Sequence, residues 1–183
     1  RESTRNVILK GDDLKGYTRY GAWYGDPYGD WCAMYASFCL SYAGVEDYPL
    51  ASNVDHWIDR LTQAGHYETS DVYTGKPGEL IFFDQDQKPD ADISVNADHM
   101  GIVAELIPAT EEEPAKIKTI EGNTRHQVAY RTYDLDDPAI IGFGRVPFGK
   151  SFRLTHEGAD YTVTVTGKGN YTGTATGTFN IVA

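Results

Sequence analysis

Residues 24–44 read YGDPYGDWCAMYASFCLSYAG, and the character of the chain changes at Cys32. The approach is Gly, Asp, Pro and Tyr, the composition of a turn. Beyond it, Cys32, Tyr35, Ala36, Cys39 and Ala43 recur at helical spacing, which predicts a helix over residues 32–43. Asp30 is placed to cap its start and Gly44 its end. A thiol is a poor nucleophile until deprotonated. A helix N-terminus favours the anion through its partial positive charge, and its free N–H groups can hold an oxyanion. Cys39, one helical repeat deeper, reads as a small buried apolar residue. About 10 Å of helical rise separates the two cysteines, too far for a disulfide. Two unpaired cysteines say little about compartment.

Working outward, a second helix is expected near residues 53–64. Val54, Trp57, Ile58 and Leu61 form its apolar stripe, Ser52 and Asp55 a capping-box-like start, and Gly65 its stop. After Pro77 and Gly78 the period changes. ELIFF (79–83), HMGIVAEL (99–106), AKIKTI (115–120), QVAYRTY (127–133) and IIGFGRV (140–146) read as five strands. Helices followed by strands is the α+β order, here with a five- to six-stranded antiparallel sheet. Upstream, residues 1–31 read as loops with a weak helix near Val7–Lys15. The segment QDQKPDADISVNA (85–97) is a long irregular connection, more often functional or mobile than structural. Residues 149–183 form a β-rich tail. There YTVTVTGKGNYTGTATGTFNIVA (161–183) reads as two strands joined by GKGN, with Tyr161, Val163, Val165, Phe179 and Ile181 on alternating positions. Two strands cannot form a core alone, which leaves them to pack on the first domain or pair between chains.

The 183 residues suffice for one compact domain and a small appendage, and 40% apolar with 13% aromatic content is globular. No apolar run approaches the ~20 residues of a membrane span. The net charge of −11 argues against a nucleic-acid partner and against tight electrostatic adhesion to an anionic wall. The chain starts at Arg1, without a Met or an apolar signal core, and is expected to be trimmed, its export signal out of view.

Two further residues join Cys32. Suppose HMGIVAEL and AKIKTIEG pair as a hairpin with Leu106 opposite Ala115. Opposed residue numbers then sum to about 221. His99, Glu121 and Asn123 meet at the hairpin's open end. A thiol, a base and a group to hold that base are the minimum kit for cleaving an amide through an acyl-enzyme. His56, His66, His126 and His156 have no such partners and read as surface or packing residues. The rings before Cys32 can line a substrate groove or pack the N-terminal segment. Trp23, Tyr24 and Trp31 are the expected substrate-binding residues among them.

Taken in order, YGDWCAMYASFCLSYAGV, KPGELIFFD, DHMGIV, IEGNT and IIGFGRV resemble the CHAP family, the cysteine, histidine-dependent amidohydrolases/peptidases. The likeness spans residues 15–147, with a domain expected over 1–148. It implies a papain-like fold, the Cys helix packed on an antiparallel sheet, and cleavage of peptidoglycan as an N-acetylmuramoyl-L-alanine amidase or an endopeptidase. It also implies Cys32 as nucleophile, His99 as base, Glu121 to orient His99 and Asn123 to assist. No cofactor is implied. Glu79 stands where the family often has Asp, and the Asp-rich segment before His99 is longer than expected. Asp26 and Asp30 lack the dense carboxylate spacing of calcium-binding relatives. Asp84, Asp86, Asp90 and Asp92 lack the Gly and terminal Glu of an EF-hand loop, and Cys and His lack metal-ligand spacing, so no metal is expected. GKGNYTGTATGTFNI resembles the last strands of bacterial immunoglobulin-like repeats, which implies an extracellular or surface setting, as on Gram-positive bacteria. The rival readings are an NlpC-type endopeptidase, which the IEGNT and GFGR features disfavour, a non-catalytic wall-binding module, and an effector cleaving a non-wall amide.

Overall fold

The computed structural model describes residues 6–10, 12–45, 48–87, 97–147, 160–166 and 174–180. The chain divides into two compact units, Arg1–Val146 and Pro147–Ala183.

The first unit opens with β1 (Val7–Lys10) and β2 (Asp13–Gly16), an antiparallel hairpin pairing Val7 with Gly16. The weak helix expected there is absent. Exposed Leu9 and Leu14 face each other across the hairpin, so the apolar spacing reflects cross-strand pairing. A short helix α1 (Arg19–Tyr24) follows, which the Gly- and Tyr-rich composition concealed. The Thr18 side chain caps it by accepting from the Gly21 N–H.

Next come α2 (Cys32–Tyr42) and α3 (Val54–Gln63). α2 buries Cys32, Ala33, Met34, Tyr35, Ala36, Ser37 and Leu40. The single stripe expected for it is therefore too narrow, because α1, α3 and the sheet cover more than one of its faces. α3 buries the expected Val54, Trp57, Ile58 and Leu61. Its cap is Asn53, whose side chain accepts from the His56 N–H, rather than Ser52.

The strands β3 (Tyr67–Thr69), β4 (Leu80–Phe83), β5 (His99–Ile107), β6 (Lys116–Thr124), β7 (Gln127–Asp134) and β8 (Ile140–Gly144) form one antiparallel sheet. Its order is β3-β8-β4-β5-β6-β7. The fold is α+β. β3, three residues long, is the strand the sequence did not announce. Central β4 is buried throughout. Its Leu80 and Phe82 join α2 and α3 in one core cluster, while Ile81 and Phe83 join Val103, Ile117 and Phe143 in a second. Alternation along one strand thus feeds both faces of the sheet.

In the second unit β9 (Asp160–Thr166) pairs antiparallel with β10 (Thr174–Asn180), Thr166 opposite Thr174. Residues 167–173, with the expected GKGN turn, lie outside the described residues, as do most of the 85–97 connection and His156. Among the described residues no helix is long and apolar enough to cross a membrane.

Candidate active site

The site draws one side chain each from α2, β5 and β6, and α2 packs on both strands. Cys32 is the first residue of α2 and His99 the first of β5. Glu121 lies near the end of β6. The β5–β6 register differs from the expected one by two residues at Leu106, which pairs with Ile117, and by one at Ile102, which pairs with Ile120. A bulge at Ala104 makes the difference. The slip leaves His99 and Glu121 within reach.

His99 Nε2 lies 2.9 Å from Glu121 Oε2. Cys32 acts on the same imidazole and favours its protonated form. Cys32 is 8% exposed and Glu121 1%. Burial alone would strip the charge from His99. Hydrogen bonding to Cys32 and Glu121, with the charges of both, outweighs it and raises the imidazole pKa from 6.5 to about 9. For Glu121, burial pushes the carboxyl pKa up. Hydrogen bonds from His99, Thr119 and Tyr133, and the His99 charge, pull harder and hold it below its ordinary value.

Two residues of this network were not foreseen. Thr119 Oγ1 donates to Glu121 Oε1 at 2.7 Å and Tyr133 Oη donates to the same oxygen at 2.8 Å. The period-2 rule could have found Thr119, two residues from Glu121 on the same face of β6. Tyr133 comes from β7, opposite Ile117, and reaching it needs the β6–β7 register. Its ring also packs on Phe83, 4.8 Å between centroids.

Glycine makes room at two points. A Cβ on Gly101 would stand 2.7 Å from Glu121 Cγ, so its absence lets the carboxylate lie across β5 toward His99. A Cβ on Gly122 would stand 2.5 Å from Tyr35 Cβ, where β6 meets α2.

Asn123 sits in the left-handed region (φ 62°), where β6 is irregular, and its Nδ2 donates to Asp30 Oδ1 at 3.4 Å. Asp30 does not cap α2. Both its carboxylate oxygens accept from Lys15 Nζ, at 2.9 and 3.0 Å, and the N-cap residue Trp31 makes no side-chain cap hydrogen bond. Lys15 draws the carboxylate away from the helix.

The three rings expected to bind substrate divide. Trp31 is 1% exposed, stacked on Tyr20 at 5.3 Å, and belongs to a core cluster with Met34 and Tyr35. Half-buried Tyr24 packs against that cluster. Trp23 is 38% exposed and sits edge-on to Phe38.

Away from the site, Glu79 is structural. Its Oε2 accepts from Tyr73 Oη and the Lys76 N–H, closing the turn into β4. His66 packs on Tyr48, 5.8 Å between ring centroids, while His56 and His126 are peripheral. The carboxylates of Asp84, Asp86 and Asp98 approach within 4.8 Å of one another. Asp98 accepts from the Gln85 and Asp86 N–H groups and Asp84 from that of Gln87, so loop closure explains the grouping. Asp90 and Asp92 lie outside the described residues.

Comparison with curated proteins and with solved structures finds no match. A family model described as the CHAP domain matches residues 23–123, more than half of the chain. CHAP domains are typically hydrolases, amidases or peptidases linked to peptidoglycan. The matched segment starts ahead of α1's end, takes in the whole of α2 and closes at Asn123, and it makes this chain a member of the CHAP domain family.

Proposed function

We propose that the chain is a cysteine amidohydrolase that cleaves an amide bond of peptidoglycan peptide through a thioester. The observation that carries this reading is the 2.9 Å contact of His99 Nε2 with the buried Glu121 carboxylate, on an imidazole whose protonated form Cys32 also favours. In the proposed mechanism the Cys32 proton passes to His99, and Glu121 and Cys32 together hold it there. The Cys32 sulfur attacks the scissile carbonyl and forms a tetrahedral oxyanion. The first N–H groups of α2 have no side-chain cap to satisfy them. They are therefore free to stabilise the oxyanion. His99 then protonates the leaving amine, and water, with His99 as base, frees the acyl group. Asn123 donates to Asp30 ahead of α2, and Trp23 offers an exposed ring for substrate contact. The substrate class implies action outside the cell or at its surface.

The test is mass spectrometry of muropeptides from purified sacculi incubated with wild type, Cys32→Ala and His99→Ala. New products from wild type alone are expected. Free muramic-acid lactyl groups identify an amidase, and new peptide termini an endopeptidase. Turnover within tenfold of wild type in either variant would sink the mechanism. Wall binding without hydrolysis by wild type would favour a binding module.

A further inference from the structure

A polar side chain just ahead of a helix ordinarily turns to the free N–H groups there, and a carboxylate also suits the helix's positive end. α1 and α3 follow that habit through Thr18 and Asn53. α2 does not. Asp30 stands one residue before its N-cap, yet Trp31 is the cap residue and makes no side-chain cap hydrogen bond. Both Asp30 oxygens accept from Lys15 Nζ instead, at 2.9 and 3.0 Å, and Oδ1 also accepts from Asn123 Nδ2 at 3.4 Å.

The hairpin is built to deliver that lysine. Ile8 pairs with Lys15 and Leu9 with Leu14, so Lys10 and Lys15 share one face and the two leucines the other. Lys10 Nζ meets both oxygens of Asp26, at 3.1 and 2.9 Å. Two cations thus face the two carboxylates of residues 26–30, the stretch that leads into Cys32. Val7, Ile8, Leu9 and Leu14 are all exposed, so buried apolar area does not account for where the hairpin sits. The ion pairs do. Asp30 lies two residues before Cys32 and Asn123 two residues after Glu121, so the Lys15–Asp30–Asn123 chain spans the approach to the thiol and the end of β6.

Freed from Lys15, the Asp30 carboxylate has two courses. Helix ends shift by a residue or so, and it can cap the N–H groups that the oxyanion needs. Left uncapped, it places an unneutralised negative charge two residues from Cys32, which disfavours the thiolate. Both courses oppose the reaction. We propose that Lys15 is a positioning residue: it acts through Asp30, holding that carboxylate off the start of α2 so that the positive end of the helix serves Cys32. The inference rests on the proposed function for the reaction it assists. The pair is partly exposed, 25% at Lys15 and 70% at Asp30, and such pairs contribute little to stability. Its effect therefore belongs in the kinetics rather than in Tm.

The experiment is a double-mutant cycle of Lys15→Ala and Asp30→Ala, with Lys15→Arg as the conservative variant. Three quantities are read: the rate of Cys32 alkylation by iodoacetamide, mapped by mass spectrometry to separate it from Cys39; kcat and KM on a soluble wall peptide; and Tm. Lys15→Ala is expected to slow alkylation and lower kcat by about fivefold, the scale of one charge at a helix terminus, with KM and Tm nearly unchanged. In the Asp30→Ala background the same substitution is expected to change either rate by less than about twofold, and Lys15→Arg to keep wild-type rates. An equal loss in both backgrounds would overturn the proposal, because Lys15 would then act without Asp30. So would an unchanged alkylation rate, a change confined to KM, or a fall in Tm that Lys15→Arg shares. Alkylation needs no substrate, which separates the two readings. The expected alkylation cycle without turnover by wild type keeps the role of Lys15 and removes the hydrolase. Turnover with a flat alkylation cycle does the reverse.

Discussion

Glu121 has two carboxylate oxygens with different duties: Oε2 faces His99, while Oε1 accepts from Thr119 and Tyr133. The division sets two pH responses. His99 titrates from 6.5 up to about 9 on folding, so its contribution to stability is complete below 6.5 and is lost as pH rises through about 9. Glu121 is lowered, so its contribution is present above its ordinary value and is lost as pH falls through the lowered one. Replacing Glu121 by Gln removes a charge and a strong acceptor from His99. The alkaline limb of kcat/KM is then expected to move to lower pH, and the fall in Tm between pH 6.5 and about 9 to flatten. An unmoved limb would show that another group titrates there. Tyr133→Phe keeps the ring on Phe83 but takes one donor from Oε1. A loss of about 1.5–3 kcal/mol is expected from denaturant unfolding, with the acid limb shifted upward. A stability loss with both limbs unchanged would mean that Tyr133 only packs.

At the scale of elements, the site depends on how closely β5, β6 and α2 approach. Gly101→Ala puts a methyl group against Glu121 Cγ without touching Cys32 or His99. The expected result is a folded protein whose kcat/KM falls by about 10²-fold, the usual consequence of ~1 Å of misplacement. Normal kinetics would show that the carboxylate has room to move. The same elements show what the sequence could and could not say. α3 was legible because Val54, Trp57, Ile58 and Leu61 repeat along one stripe, and β4 to β8 because runs of apolar residues are bounded by turn signals. The hairpin spacing brought His99 to Glu121 despite a bulge, because long side chains tolerate a slip of one or two positions. Short β3 and the β1–β2 hairpin were hidden because pairing partners, not local pattern, make them strands. Asp30 was misread as a cap because its competitor, Lys15, lies 15 positions earlier and meets it only through the fold. Tyr133 was missed for the same reason, since it meets Glu121 only through the β6–β7 pairing, whereas Thr119 stood within reach of the strand period.

The whole molecule separates its tasks along the chain. Every residue of the proposed chemistry lies in the unit ending at Val146, while β9 and β10 belong to the other. A chain ending at Val146 is expected to keep wild-type kcat/KM on soluble wall peptides. A large loss would show that the C-terminal unit takes part in the reaction. Within the first unit, the thiol arrives before Asp84 and the imidazole and carboxylate after Asp98, yet both stretches build one sheet. β4, from the early stretch, pairs with β5 on one side and β8 on the other, and β3 pairs with β8. The protein is thus a candidate for a split reagent. Expressed as two polypeptides divided between residues 88 and 96, each half would be chemically mute. Joining them is expected to restore the proposed hydrolysis, so that its products become a readout of two molecules having met.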